Sequence, residues 1–174
     1  MHIRPLLPSD WTDVSAVARE AASLSTLDDE LTTWEGWDAR FIAGQRLVSA
    51  SREGRITGWA ALEQVSTRPS WSGVAAVSVH VTATYRGQGF GSRLLAGIID
   101  SSEEAGLWTL QAHVLPHNTA AQRLLESHGF RIIGTRYGLF LRGGVWQDAV
   151  LMDRRSQLVS AASGLASTTI PEAS

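Results

Sequence analysis

The stretch VSVHVTATYRGQGFGSRLL, from Val77 to Leu95, decides the fold of this chain. Its first residues alternate β-branched with other side chains, which is typical of a strand, and its last residues begin an apolar stripe at helical spacing. Glycines stand between them at 87, 89 and 91. The stretch therefore predicts a strand, a glycine-rich turn at residues 86–92, called the glycine loop below, and a helix over 92–105.

The glycine loop has a physical use that an ordinary turn lacks. The first turn of a helix presents backbone N–H groups without intrahelical acceptors, together with the positive end of the helix dipole. Glycines let the backbone curl closely around a phosphate, and Arg86 adds a positive charge beside it. The loop lacks the Gly-Lys-Ser/Thr ending of a P-loop, and its glycines do not follow a first strand as in a dinucleotide fold. A phosphate site is therefore predicted, with a simple tight turn as the alternative.

The segments before Val74 predict a strand, two helices and a β-hairpin. Ser9 or Asp10 can cap the first helix. The second helix is predicted over 33–43, where three aromatic residues recur at helical spacing: Trp34, Trp37 and Phe41. Two runs of alternating apolar residues flank Gly54, which can take the positive φ of a tight turn.

The segments after the glycine loop predict a strand, a helix and two further strands. The strand covers 107–115, the helix is capped by Asn118, and the last two strands meet around 143–144. The order of elements indicates a mixed α/β fold in one domain, residues 1–155. From Ser156 the composition shifts to Ser, Ala and Thr, so residues 156–174 are predicted to be a tail that is mobile or packs on a partner.

The composition of the 174 residues fits a globular domain and narrows its chemistry. A net charge of -2 gives no electrostatic reason to expect nucleic acid or an anionic membrane as a partner. No apolar run reaches the ~20 residues that span a bilayer, and no secretory signal is evident. The absence of cysteine excludes disulfides and a covalent cysteine intermediate, and the five scattered histidines have no metal-ligand spacing. We therefore expect a cytoplasmic protein with no metal.

Three motifs resemble one known family. The sequence YRGQGFG resembles the acetyl-CoA pyrophosphate loop of the GNAT superfamily of N-acetyltransferases, whose pattern is Arg/Gln-x-x-Gly-x-Gly/Ala and is met here by Arg86, Gly89 and Gly91. The preceding VSVHV occupies the place of the family's pantetheine-pairing strand, and NTAAQRLLESHGF is similar to its Asn-x-x-Ala…Gly-Phe segment. TTWEGWDARF, RPSW and GGVWQDAVLM further resemble the phosphinothricin acetyltransferase-like subfamily, and the resemblance covers residues 3–152.

This resemblance implies an α+β GNAT fold that binds acetyl-CoA. The expected sheet is mixed and mostly antiparallel, is splayed between the strands at 74–82 and 107–115, and carries helices on both faces. The pantetheine would pair with the backbone of Val79 and Val81, and Asn118 would face the cofactor. The pyrophosphate would be bound by N–H groups of the loop, namely those of Arg86, Gly87, Gln88, Gly89, Phe90, Gly91 and Ser92. A homodimer is also implied.

The sequence departs from the family where proton transfer is expected. The subfamily carries a glutamate on the long strand at the position of Ala76, and a Tyr or His in the last helix at the position of Leu125. Neither aliphatic side chain can transfer a proton. We predict His80 or His113 as a substitute base, because imidazole titrates near neutral pH. A structural role is the alternative for each histidine, and the further options for the base are Glu63, Tyr85 and Tyr137.

Three residues are candidates for binding the acceptor. Arg142 stands where the subfamily often has a lysine, and its guanidinium suits a carboxylate, with an ordinary surface arginine on a strand as the alternative. Trp34 and Trp71 could enclose the acceptor, with packing of the early helices on the sheet as the alternative.

The expected function is transfer of acetyl from acetyl-CoA to the amine of a small molecule. The resemblance implies an amino acid or an analogue such as phosphinothricin or methionine sulfoximine. A peptide N-terminus, an amine antibiotic or a polyamine is an alternative acceptor. A CoA-binding module without catalysis is the alternative of a different class, since the loop is kept while the usual acid and base are missing.

Overall fold

The structure, a computed structural model, describes residues 1–22 and 33–159. The strands are β1 (His2–Pro5), β2 (Phe41–Ala50), β3 (Ile56–Gln64), β4 (Val74–Val81), β5 (Thr109–Val114), β6 (Arg131–Arg142) and β7 (Val145–Arg155). The α-helices of this part of the chain are α1 (Trp11–Ala21), α2 (Trp34–Arg40), α3 (Phe90–Glu104) and α4 (Thr119–Glu126). This is the predicted order of elements. No described helix is long and apolar enough to cross a membrane.

The seven strands form one sheet in the order β1-β2-β3-β4-β5-β7-β6. Every neighbouring pair is antiparallel except β4 and β5, which are parallel. These two strands pair at only three positions, from Val74 opposite Thr109 to Ala76 opposite Gln111. Beyond Ala76 the ladder stops while both strands continue. The predicted mixed, mostly antiparallel sheet that is splayed in its middle is therefore confirmed.

The helices cover both faces of the sheet, as predicted, because alternate residues of the central strands are apolar on both sides. On β3, Ala60 and Leu62 are buried against the α3 and α4 side, and Trp59 and Ala61 are buried against the α1 and α2 side. Both cores consist largely of fully buried side chains. Burial on both faces fixes the register of β3, since a slip by one residue would exchange the two sets.

The second predicted helix is too long. Helix α2 begins after Thr33, whose side chain accepts a hydrogen bond from the Gly36 N–H, but it ends at Arg40 rather than at residue 43. Phe41 has extended backbone and begins β2. The Phe41 ring lies 4.5 Å from the Trp37 ring, so the apolar spacing that indicated a helix is satisfied by a strand residue packed in the same cluster.

One other helix boundary also differs from the sequence-based expectation. Helix α3 begins at Phe90 rather than at residue 92, with Gly89 as its N-cap at φ +82°. Three residues of the glycine loop, Phe90, Gly91 and Ser92, therefore belong to the helix itself. Of the predicted tail, residues 160–174 lie outside the described residues. Ser156 and Val159 are buried, and the Ser156 hydroxyl donates to Glu103 at the end of α3.

Candidate active site

A cavity of about 770 Å³ opens where β4 and β5 separate. The last residues of both strands form its walls, and the glycine loop and the start of α4 form its rim. The strand residues that line it are Ala76, Val77, Ser78, Val79, His80 and Val81 of β4 and Ala112, His113 and Val114 of β5. The splay of the sheet therefore produces a site at its centre, bounded by unpaired strand edges.

The glycine loop adopts a conformation that only glycine tolerates without strain. Gly87 has φ +70° and Gly89 has φ +82°, and a Cβ atom added at either position would meet no atom within 4 Å. The first intrahelical bond of α3 runs from the Arg93 N–H to the Gly89 carbonyl, so the preceding N–H groups have no acceptor within the helix. The loop therefore presents donors and the positive end of α3 beside open space.

Arg86 ties the loop to β4. Its Nε donates to the Val81 carbonyl at 2.9 Å, and its Nη2 lies 3.7 Å from a Glu20 carboxylate oxygen. The Glu20 carboxylate also accepts from the Ala83 N–H. These contacts fix the path of the chain between the strand and the helix.

Most of the predicted cofactor residues are brought together at this cavity. The lining includes Val79, Val81, Arg86, Gly87, Gly89, Gly91, Ser92 and Asn118. Gln88 and Phe90 are not part of it. The Gln88 amide donates to the Thr84 carbonyl, and the Phe90 ring is buried with its centroid 5.2 Å from that of Tyr85. Asn118 lines the cavity and also caps α4, because its side-chain oxygen accepts a hydrogen bond from the Ala121 N–H.

The edge of β4 that faces the cavity can pair with an extended ligand. On its other edge β4 is bonded to β3, with Val79 opposite Ala60 and Val81 opposite Gly58. On the β5 side the ladder ends at Ala76, so the backbone groups of 77–81 that do not pair with β3 lie at the cavity, where the Val81 carbonyl already accepts a hydrogen bond from Arg86 Nε. An unpaired strand edge offers alternating N–H donors and carbonyl acceptors, which suits a ligand that contains amide groups.

His80 lies on the wall of the cavity with its ring against Trp59. The ring centroids are 4.5 Å apart, and Trp59 is fully buried. Because His80 opens only toward the cavity and Arg86 is nearby, desolvation and the guanidinium charge lower its pKa to about 4. The lowered pKa favours a neutral His80 ring at physiological pH.

His113 lies on the opposite wall and also has a guanidinium beside it. Arg136 Nη1 lies 3.2 Å from His113 Nε2, and a guanidinium can only donate, so this nitrogen accepts. Burial, followed by the charge of Arg136, lowers the pKa of His113. The two predicted bases thus face each other across the cavity, each beside an arginine.

An acidic residue that the sequence offered only as a further option also lines the cavity. Glu63 of β3 is directly opposite Ala76 of β4 in the antiparallel register. Its Oε2 lies 3.1 Å from the Arg40 Nε at the end of α2, and Arg40 lines the cavity as well. Among the described residues that form this lining, Glu63 alone is acidic.

The three predicted acceptor-binding residues lie outside the described lining of the cavity. Trp34 packs on Trp37 with ring centroids 5.8 Å apart, and Trp71 is 43% exposed on the segment before β4. The Arg142 guanidinium lies 5.4 Å from the ring centroid of Phe140, which does line the cavity. The described residues contain no group of three or more His, Cys, Asp or Glu side chains that could hold a metal ion.

Comparison with known proteins agrees with this geometry. A methionine sulfoximine and methionine sulfone acetyltransferase of Salmonella typhimurium is 26% identical over 71% of this chain and 71% of its own. The L-amino acid N-acyltransferase MnaT of Escherichia coli is 27% identical over 65% of this chain and 68% of its own. The crystal structure of a phosphinothricin acetyltransferase of Sinorhizobium meliloti in complex with acetyl-CoA superposes with a TM-score of 0.79. It is 20% identical and covers 88% of this chain and 87% of its own.

The sequence model of the acetyltransferase (GNAT) family matches residues 10–130, which run from the start of α1 to the end of α4. The matched region includes β4, the glycine loop and the cavity wall formed by β5. The resemblance inferred from the sequence motifs is therefore confirmed, and this chain belongs to the acetyltransferase (GNAT) family.

Proposed function

We propose that this protein is an acetyl-CoA-dependent N-acetyltransferase that acetylates the amine of a small molecule, an amino acid or a phosphinothricin-like analogue. The observation that carries the proposal is the glycine loop at the N-terminus of α3, which opens onto a cavity at the splay of β4 and β5. Family membership supports the reaction class.

The residues present fit acetyl-CoA. The N–H groups at the start of α3 and the positive φ of Gly87 and Gly89 suit a pyrophosphate, which needs close approach by backbone donors. The cavity-facing edge of β4 suits the two amides of a pantetheine arm. When bound, acetyl-CoA supplies the activated acetyl thioester. The loop and the strand edge hold it, and the apolar wall at Val77, Val79 and Leu125 excludes water from the reacting end.

The acceptor is proposed from the relatives. The Salmonella and Escherichia coli proteins are named for methionine sulfoximine, methionine sulfone and L-amino acids, which are all small and carry an α-amine. The chain contains no cysteine to carry an acyl group, so transfer is direct from the thioester to the amine. Arg142 stays the proposed partner of an acceptor carboxylate, and Trp34 and Trp71 stay proposed walls of the acceptor site.

An acceptor panel combined with acetyl-CoA calorimetry tests the proposal. We expect saturable acetyl-CoA binding and release of free CoA with L-amino acids or their sulfoximine and phosphinothricin analogues. Turnover only with peptide N-termini, amine antibiotics or polyamines would show that the proposed acceptor class is wrong, while the reaction type would stand. Binding without turnover on any amine would identify a catalytically silent module, and no binding of acetyl-CoA would refute the whole proposal.

The proposed enzyme is a cytoplasmic homodimer. The edge of the sheet supports the proposal of a dimer. The β6–β7 hairpin exposes the large apolar side chains of Ile132, Ile133, Tyr137, Leu141, Val145 and Trp146. Strand β6 is the edge of the sheet and is twelve residues long. A long apolar edge strand is prone to pair with another chain, so a second copy is its proposed cover.

A further inference from the structure

We propose that Glu63 is the catalytic carboxylate of this enzyme, taking over from β3 the task of the glutamate that the family carries at Ala76. In this role Glu63 binds the ammonium of the acceptor and accepts its proton. The inference rests on the proposed function, because it concerns the amine substrate of the same cavity.

The first argument is the strand register. Glu63 and Ala76 are directly opposite each other in an antiparallel pair, so both side chains point to the same face of the sheet. Neighbouring strands lie about 4.8 Å apart, a distance that a glutamate side chain can span. The methyl group of Ala76 leaves room for a side chain from the next strand. A carboxylate from Glu63 therefore reaches the region where a glutamate at position 76 would place its own.

The second argument is the position of this pair at the fork of the sheet. Ala76 is the last residue of β4 that pairs with β5, and the cavity begins directly beyond it. Glu63 and Ala76 both line that cavity. Along the same face, Ser78 is opposite Ala61 and His80 is opposite Trp59, so Glu63 stands at the closed end of a row that runs toward the glycine loop.

The third argument is charge. Glu63 is the one acidic side chain among the described residues that line the cavity, and like both histidines it stands beside an arginine. An ammonium ion is attracted to a carboxylate and repelled by the guanidinium groups of Arg86 and Arg136. His80 and His113 would each become a further cation on accepting a proton, whereas Glu63 would become neutral. Among the described lining residues, Glu63 is therefore the side chain whose charge attracts the ammonium.

Arg40 acts on Glu63 as a positioning residue. Its Nε lies 3.1 Å from Glu63 Oε2, and the two side chains are 24% and 32% exposed. This contact favours one orientation of the carboxylate. A charge held in one orientation before the substrate arrives costs no reorganisation during the reaction.

The acetyl transfer needs only the Glu63 carboxylate as a proton acceptor from this chain. A protonated amine has no lone pair, so the ammonium first gives one proton to Glu63. The nitrogen lone pair then forms the C–N bond to the acetyl carbon, and the C–S bond breaks with its electron pair leaving on sulfur. The thiolate is protonated by solvent, the second proton of the attacking nitrogen passes to solvent, and Glu63 returns its own proton to solvent afterwards.

Relocation of the carboxylate tests the proposal. We expect Glu63→Ala and Glu63→Gln to lower kcat with the best amino-acid acceptor by about 10²–10⁴-fold, with unchanged affinity for acetyl-CoA in calorimetry. Adding Ala76→Glu to Glu63→Ala returns the carboxylate from the opposite strand and should restore kcat by about tenfold or more. Glu35→Gln, an exposed change on α2 away from the cavity, is the control and should behave as the wild type.

The outcomes separate this inference from the proposed function. Near wild-type turnover in both Glu63 variants overturns the role of Glu63 and leaves the enzyme proposal intact. Loss of turnover that Ala76→Glu does not restore also overturns it, because a structural role for the Arg40–Glu63 pair predicts that result. Absence of turnover in the wild type on every amine refutes the proposed function and the role of Glu63 together.

Discussion

His80 and Trp59 are opposite each other on β4 and β3, and their rings lie 4.5 Å apart in the core between the sheet and helices α1 and α2. Burial and the charge of Arg86 both disfavour protonation of this imidazole in the folded protein. His80 is therefore more difficult to protonate in the folded chain than in the unfolded chain, and stability must depend on pH.

The pKa of His80 is about 4 in the folded protein, against an ordinary 6.5. Between these values the unfolded chain binds more protons, so the free energy of unfolding rises with pH and is lost as the pH falls from about 6.5 toward 4. We expect a loss of up to about 3 kcal/mol from this residue. Burial lowers the pKa of His113 as well, so it adds to the loss in the same direction.

Urea unfolding of the wild type and of His80→Tyr at pH 7 and pH 5 measures this dependence. The variant keeps an aromatic ring on Trp59 but lacks the titrating group, so its stability should fall less on acidification. Equal losses in the two proteins would mean that His80 is protonated in the folded state as readily as in the unfolded state.

The glycine loop gives a prediction on binding. Gly89 has φ +82°, and a Cβ there would project into the open space beside the first turn of α3. Gly89→Ala should lower stability by about 1–2 kcal/mol, the cost of left-handed backbone for alanine, and should also weaken acetyl-CoA binding about tenfold or more. Calorimetry and thermal unfolding separate these two effects.

Gly106 provides the matched control for that variant. It has φ +76° and also has no atom within 4 Å of an added Cβ, but it follows the other end of α3 and does not line the cavity. Gly106→Ala should therefore show the same loss of stability and an unchanged affinity for acetyl-CoA. A similar loss of affinity in both variants would indicate that strain, rather than the loop, causes the effect.

The parts of the fold that the sequence predicted are those specified by local signals. The glycines at 87 and 89, the turn at Gly54 and the cap at Asn118 each act within a few residues, and the structure has all of them where the pattern indicated. The length of α2 could not be predicted locally. Phe41 fits a helical stripe equally well, and only its pairing with Glu63 across the sheet makes it a strand residue.

The candidate bases at the site also could not be ranked from local sequence signals. Individual residue properties favoured His80 and His113, because an ordinary imidazole titrates near neutral pH. Their lowered pKa values arise from burial and from arginines that are distant in sequence. The position of Glu63 opposite Ala76 depends on the register across the connection at residues 65–73, which alternation alone does not fix. The sequence shows that position 76 is an alanine, but it does not show that Glu63 lies opposite it.

Arg142 remains a prediction for the acceptor carboxylate. Its guanidinium lies 5.4 Å from the ring centroid of Phe140, a residue that lines the cavity. We expect Arg142→Ala to raise KM for an L-amino acid about tenfold with little change in kcat, and to leave KM for the corresponding amino-acid amide unchanged. Arg131→Ala on the same strand, paired with Asp153, is the control. An equal rise in KM for acid and amide would exclude a contact with the carboxylate.

The apolar edge of the sheet gives the last prediction. Trp146 of β7 is 64% exposed, and its partner in the register, Leu141 of β6, is exposed as well. Two large apolar side chains on an edge hairpin favour association with another protein surface. We expect the wild type to sediment as a dimer and Trp146→Lys to weaken the dimer about tenfold or more, because a lysine charge would be desolvated in the interface. Trp71 is another exposed tryptophan, 43% exposed and outside the hairpin, so Trp71→Lys is the control. The Trp71→Lys protein should sediment like the wild type. A dimer that Trp146→Lys leaves unchanged would place the interface elsewhere, and a monomeric wild type would remove this hairpin as an interface between copies of the chain.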